Sequence, residues 1–125
     1  MSSDTSLPTG YVRVRRLPDH TILALHGEID IAAALHITPH LDDATCGQAP
    51  RIVIDLRATR FLDASGLRLL CRAQRRTDER GGYLVVVCSA PKILKVFRAA
   101  RLIDRFHLVA TPDDAPTLLT CDEPR

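Results

Sequence analysis

The sequence predicts a single α/β domain, a mixed sheet of four or five strands covered by about four helices. Three observations carry that expectation. A length of 125 residues suffices for one domain with a real core and leaves no room for a second catalytic domain. Two short, almost continuous apolar runs, Ile52-Val53-Ile54-Asp55-Leu56 and Leu84-Val85-Val86-Val87-Cys88, have the pattern of strands covered on both faces. Segments with apolar residues at helical spacing lie between and after them.

Taken in order, residues 1–10 hold Ser2, Ser3, Asp4, Pro8 and Gly10 without periodicity, and residues 120–125 are equally polar. Both ends are expected to fray around a domain spanning 11–119. Val12, Val14 and Leu17 read as a first strand and residues 21–26 as a second, joined through Pro18-Asp19-His20 into a hairpin that Gly27 ends. Asp30 stands directly before Ile31-Ala32-Ala33-Ala34-Leu35, where a carboxylate accepts bonds from the free N–H groups of a first turn, so a helix is expected over 31–45. After Pro50 comes the central, parallel strand over 52–56. Leu67, Leu70 and Cys71 then recur at helical spacing until Gly81-Gly82 stops the pattern, which predicts a second helix capped by Ser65 with Gly66 as its first residue. A strand over 84–88 follows, Pro91 opens a third helix, and residues 106–109 form a last strand. Thr111 and Pro112 are expected to start a final helix with Ala115, Leu118 and Leu119 on its inner face.

Composition narrows the function. The formal net charge of +2 is too small for a nucleic-acid binder held by bulk charge, and with three Phe, two Tyr and no Trp there is no aromatic platform for single strands. The core must be aliphatic. Cys46, Cys71, Cys88 and Cys121 form no CxxC pair and read as free, buried thiols. No window approaches the roughly 18 apolar residues of a membrane span, and the polar N-terminus lacks the apolar stretch of a secretory signal, so a cytoplasmic protein without membrane contact is expected. His36 and His40 are four apart, but Pro39 lies between them and no HExxH is present, which argues against a metal site. Neither a Walker A loop nor a Gly-x-Gly-x-x-Gly occurs, so no nucleotide or other cofactor is expected.

The most informative stretch is Phe61-Leu62-Asp63-Ala64-Ser65-Gly66-Leu67, between the central strand and the second helix. It resembles the Asp-Ser-Ser-Gly-Leu signature of the anti-anti-sigma factors, members of the STAS domain family. Gly27-Glu28-Ile29-Asp30 is similar to that family's Gly-Glu-Leu-Asp, Gly81-Gly82 precedes the next strand as it does there, and Val96-Phe97 falls within the third helix. The resemblance spans roughly residues 11–119 and implies a non-enzymatic partner-switching module with a STAS-like fold. Such a protein, when unphosphorylated, binds an anti-sigma factor that is also an ATP-dependent serine kinase, and so frees the sigma factor. Phosphorylation of one serine, here matched by Ser65, ends the binding, and a serine phosphatase is implied to reset it. Asp63, Ala64, Gly66 and Leu67 match the flanks of that serine, while Glu28 and Asp30 match the segment that the family places in the partner contact. Two departures stand out. Ala64 replaces the first serine of the usual pair, leaving one phosphoacceptor, and Ala99-Ala100-Arg101-Leu102 stands where a Ser-Gly-Leu is common.

Read by themselves, these residues leave alternatives open. Ser65 fits a plain helix cap as well as a modification site at the positive end of a helix dipole. Arg68 at its third helical position lacks the reach-back of a capping box. Asp63 suits a partner contact, a hydroxyl-orienting role or a tight turn. A serine hydrolase comes last, because the Gly-x-Ser-x-Gly elbow has Asp63 and Leu67 in place of its glycines. Arg68, Arg72, Arg76 and Arg80, each four residues from the next, line one helix face. That stripe is either a solvated face helped by Asp78 and Glu79 or, from Arg68 and Arg72, a surface that steers an acidic partner. The competing function is a STAS scaffold or signal relay that binds partners without being phosphorylated.

Overall fold

The computed structural model describes residues 9–114. Six strands and three helices follow one another: β1 Tyr11–Arg16, β2 Thr21–Ile29, α1 Ile31–Ala44, β3 Arg51–Asp55, β4 Thr59–Leu62, α2 Ala64–Glu79, β5 Tyr83–Val87, α3 Pro91–Ala99 and β6 His107–Val109. A 3-10 turn, Pro112–Asp114, comes next. The sheet runs β1-β2-β3-β5-β6, with β4 paired to the far end of β2. Only the β1–β2 hairpin is antiparallel; β2–β3, β2–β4, β3–β5 and β5–β6 are parallel.

Alternation along the strands sends two sets of side chains to opposite faces. Leu23, Leu25, Ile52, Ile54, Leu84 and Val86 face the helices and join Ile37 and Leu41 of α1, Leu70 and Ala73 of α2, and Ile93 and Phe97 of α3 in one aliphatic core. Val53, Val85 and Val87 gather on the other face, with Ile22, Tyr83 and Val109 beside them. The runs at 52–56 and 84–88 are continuous in sequence because their strands lie inside the sheet with both faces buried.

Several expectations change in detail. Gly27 does not end β2: at φ +83° it marks a register shift between Gly27 and Glu28, and the strand continues to Ile29. A bulge rather than a stop is what this glycine provides, since only glycine takes that backbone without cost. The sheet gains β4, which brings the count to six strands. Cys46 is exposed and Cys71 half-buried; of the described thiols only Cys88 is buried, and burial pushes its pKa up. Of the final helix, the structure shows the Pro112–Asp114 turn; Ala115, Leu118, Leu119 and Cys121 lie outside the described residues.

The end of α3 carries a backbone conflict. Arg101 has φ +61°, and the bonds Leu102 N–H to Phe97 O (2.8 Å) and Arg101 N–H to Arg98 O (3.0 Å) form a Schellman cap around it. That left-handed position favours glycine, and a β-carbon there costs about 1 kcal/mol. Arg101→Gly is therefore expected to stabilise the domain by about 0.5 kcal/mol after the greater freedom of the unfolded chain is counted. Urea unfolding measures it: the midpoint should rise, and a fall would show that the arginine side chain contributes more than its backbone costs.

Candidate functional site at the strand ends

Two helices begin side by side at the carboxyl ends of two neighbouring parallel strands. Ile29 of β2 and Leu62 of β4 are register partners, and the next residues, Asp30 and Asp63, cap α1 and α2. The two caps have nearly the same backbone, φ −101° and ψ −168° against φ −105° and ψ −167°. The Asp30 carboxylate accepts from Ala33 N–H at 3.0 Å. Asp63 accepts from Ser65 N–H at 2.9 Å and from Gly66 N–H at 3.2 Å, and its own N–H donates to Ile29 O at 3.4 Å. The parallel pairing of β2 with β4 thus places both acidic residues on one face of the molecule.

Ser65 is not the cap. Asp63 takes that role because its carboxylate reaches two free N–H groups, which makes Ala64 the first residue of α2 and Ser65 the second. Ser65 is half-buried, and among the described residues its hydroxyl makes no hydrogen bond. Ala64, the preceding residue, is exposed, and so is Glu28, the register partner of Phe61, which accepts from the Thr9 hydroxyl at 3.2 Å. Gly66 and Leu67 are buried, so what they offer the site is position. A β-carbon on Gly66 would lie 2.5 Å from Leu62 Cδ1 and 3.1 Å from Ile29 O. Glycine lets the first turn of α2 approach the strand ends that closely.

The arginine stripe is largely spoken for within the fold. Arg72 donates to both oxygens of Asp42 at 2.7 and 2.8 Å, a bidentate tie between α2 and α1. Arg76 donates to Thr45 Oγ1 at 2.8 Å and to Asp42 O at 3.1 Å, and Arg80 donates to Arg76 O at 3.3 Å. Asp78 accepts from Gln74 at 3.0 Å instead of serving the stripe. Arg68 is exposed and makes no ion pair among the described residues. A shallow groove between α1 and α2, of about 430 Å³, has Ser65 and Arg68 on one side and Ile31 and Leu35 on the other. Ile31 and Leu35 are 65% and 69% exposed and give the groove an apolar side. Sequence reasoning counted them only as parts of α1. Their spacing of four, beside Ser65 across the groove, was the available signal.

Asp42 also makes acid stability testable. The hydrogen bond from Arg72 holds its carboxyl below the usual range; burial opposes the shift, and the charges of Arg72, Arg76 and Arg80 add to it. The folded state therefore protonates later than the unfolded chain as pH falls, so this contribution is present above about pH 4 and is lost through the folded value below it. Asp42→Asn is expected to cost about 1 kcal/mol at pH 7, the modest size reflecting the partial exposure of the pair. Urea unfolding at pH 7 and pH 3 should show the gap between variant and parent closing in acid; an equal gap at both would assign the loss to something other than the carboxylate's charge.

His36 and His40 are exposed on α1, which continues through Pro39. Among the described residues no group of three His, Cys, Asp or Glu is placed to hold a metal ion, and no helix is long and apolar enough to cross a membrane.

Residues 11–115 match the family model of the STAS domain. No curated protein sequence matches the chain. Among solved structures it is similar to an anti-sigma factor antagonist from Mycobacterium paratuberculosis, at 26% identity and a TM-score of 0.79 over 88% of this chain and 93% of that one. An anti-sigma-factor antagonist (STAS) domain protein from Planctomyces limnophilus matches at 18% identity and a TM-score of 0.73, covering 88% and 98%. The Bacillus cell fate determinant SpoIIAA in its phosphorylated form matches at 22% and 0.67, covering 86% and 97%. With the family model covering nearly all the described residues and the paired strand ends arranged as above, the chain belongs to the STAS domain family.

Proposed function

We propose that the protein is an anti-sigma factor antagonist that binds an anti-sigma factor with serine kinase activity while Ser65 is unphosphorylated, and that phosphorylation of Ser65 ends the binding. The observation that carries this reading is the free Ser65 hydroxyl on the first turn of α2, bonded to nothing among the described residues and flanked by the Asp30 and Asp63 caps. A serine acting as a structural cap would have its oxygen occupied; this one has it available for an in-line attack on a phosphoryl group. Glu28, Asp30, Ala64 and Arg68 surround it as the contact surface, with Gly66 and Leu67 as its support. Arg72 serves chiefly to lock α2 against α1.

Phosphate at Ser65 would find two amides of the first turn already taken, because Asp63 accepts the N–H groups of Ser65 and Gly66. Its natural partner is Arg68, three residues on and without an ion pair among the described residues. The switch therefore works through bulk and charge at the surface while the fold stays as it is. Incubation with the cognate kinase and Mg-ATP should add one phosphate by intact mass, absent from Ser65→Ala. Binding without phosphate transfer would instead assign the chain to a scaffold or relay role.

A further inference from the structure

A cavity of about 810 Å³ lies on the sheet face turned away from the helices. Its floor is Ile22, Ala24 and Val53. At one level of the sheet the register runs Arg13, Ala24, Asp55 across β1, β2 and β3, and at the next Arg15, Ile22, Val53. Ala24 is the smallest of the three side chains at the first level, between Arg13 and Asp55, and the hollow lies over it. Most strand positions on a half-wet face carry a branched residue that would fill such a hollow.

The walls have a definite charge. Asp55, 9% exposed, is held by Arg57 through contacts of 2.9 to 3.2 Å, and these two cancel. Arg13 and Arg15 are exposed on the rim and make no ion pair among the described residues. The imidazole of His26 lines the groove and is itself stacked on Tyr11, with centroids 4.8 Å apart and planes 7° from parallel. An apolar floor, the His26 imidazole and two guanidiniums without an ion pair among the described residues suit one kind of occupant. We propose that this groove binds a small aromatic anion, its ring on Ile22, Ala24 and Val53 and its carboxylate, sulfonate or phosphate toward Arg13 and Arg15. A cation is disfavoured by the same two arginines, and a neutral ring leaves them unused. The groove and Ser65 lie on different sides of the sheet, so occupancy of one leaves the other open.

Amide shifts in a titration of the full chain with anilinonaphthalene sulfonate, against its uncharged analogue phenylnaphthylamine, test this. Saturable one-to-one binding is expected, with shifts centred on β1, β2 and β3, and phenylnaphthylamine weaker by about tenfold. Arg13→Ala with Arg15→Ala should remove most of that preference for the anion, and Ala24→Leu should remove binding of both compounds while circular dichroism reports on folding. Should Ala24→Leu fail to fold, the arginine pair on the exposed strand still decides. Equal affinity for the two compounds, shifts centred on the α1–α2 groove, or no saturation would each overturn the proposal.

Discussion

Ser65→Asp is expected to weaken the complex with the cognate anti-sigma factor by about 100-fold, or ~2.7 kcal/mol, with far-UV circular dichroism and melting temperature nearly unchanged. The fold has little to lose. The Ser65 hydroxyl makes no hydrogen bond among the described residues, and a carboxylate in the first turn of a helix interacts favourably with its dipole. The partner has much to lose. A kinase that phosphorylates Ser65 must bring the terminal phosphate of ATP to this position, and a carboxylate there meets like charge in a surface losing its water. Glu28, Asp30 and Asp63 already concentrate acidic groups at the strand ends, so the added charge raises the negative potential that the partner meets there. Isothermal titration of the partner with parent, Ser65→Ala and Ser65→Asp decides the point. The alanine variant should bind as the parent does, because it removes only the phosphoacceptor. Unchanged affinity in Ser65→Asp would favour a constitutive scaffold, and a loss of affinity accompanied by lost helix signal would place the effect in folding rather than at the surface.

The parts of this architecture that are local in sequence could be read from it. Asp30 before an apolar helix, Pro91 at the start of α3 and the buried runs of β3 and β5 each carry their own signal within a few residues, and the structure has them within one residue of expectation. What escaped depends on partners distant in the chain. In β4 only Thr59 and Leu62 are buried while Arg60 and Phe61 are exposed, so it shows no alternation, and its pairing with β2 is what makes it a strand. The cap of α2 was assigned to Ser65, two residues too late, because Asp63 and Ser65 are both residue types that cap well. The strand end at Leu62 decides between them, by holding Asp63 N–H near Ile29 O. In the same way the arginine periodicity was plain, but its meaning lay in Asp42 of α1 and Thr45, the residue that caps its end. The segment around Ser65 was found by resemblance, and its geometry adds what resemblance does not contain, a hydroxyl left free because its neighbour does the capping.

Phe97→Ala is expected to cost about 3–5 kcal/mol, the largest stability effect of any single truncation here. Phe97 is fully buried, the largest of the completely enclosed side chains, and it meets Phe106 edge to face with centroids 5.4 Å apart. In a core built almost wholly from aliphatic residues, this pair is the one aromatic contact, and it joins α3 to the segment entering β6. Alanine would leave a cavity that the sheet, fixed by its ladders, cannot close, and would strip Phe106 of its partner. For a domain of this size the melting temperature should fall by on the order of 15 °C or more. Since α3 also packs against β4, the strand that leads into Asp63 and Ser65, the loss should reach the site as well. Hydrogen exchange on the variant below its melting point should show faster opening in α3 and β6 first, then at the start of α2. A cost below about 1 kcal/mol would mean that the core collapses around the missing ring, and protection lost at α2 before α3 would show that the site's stability does not depend on this helix.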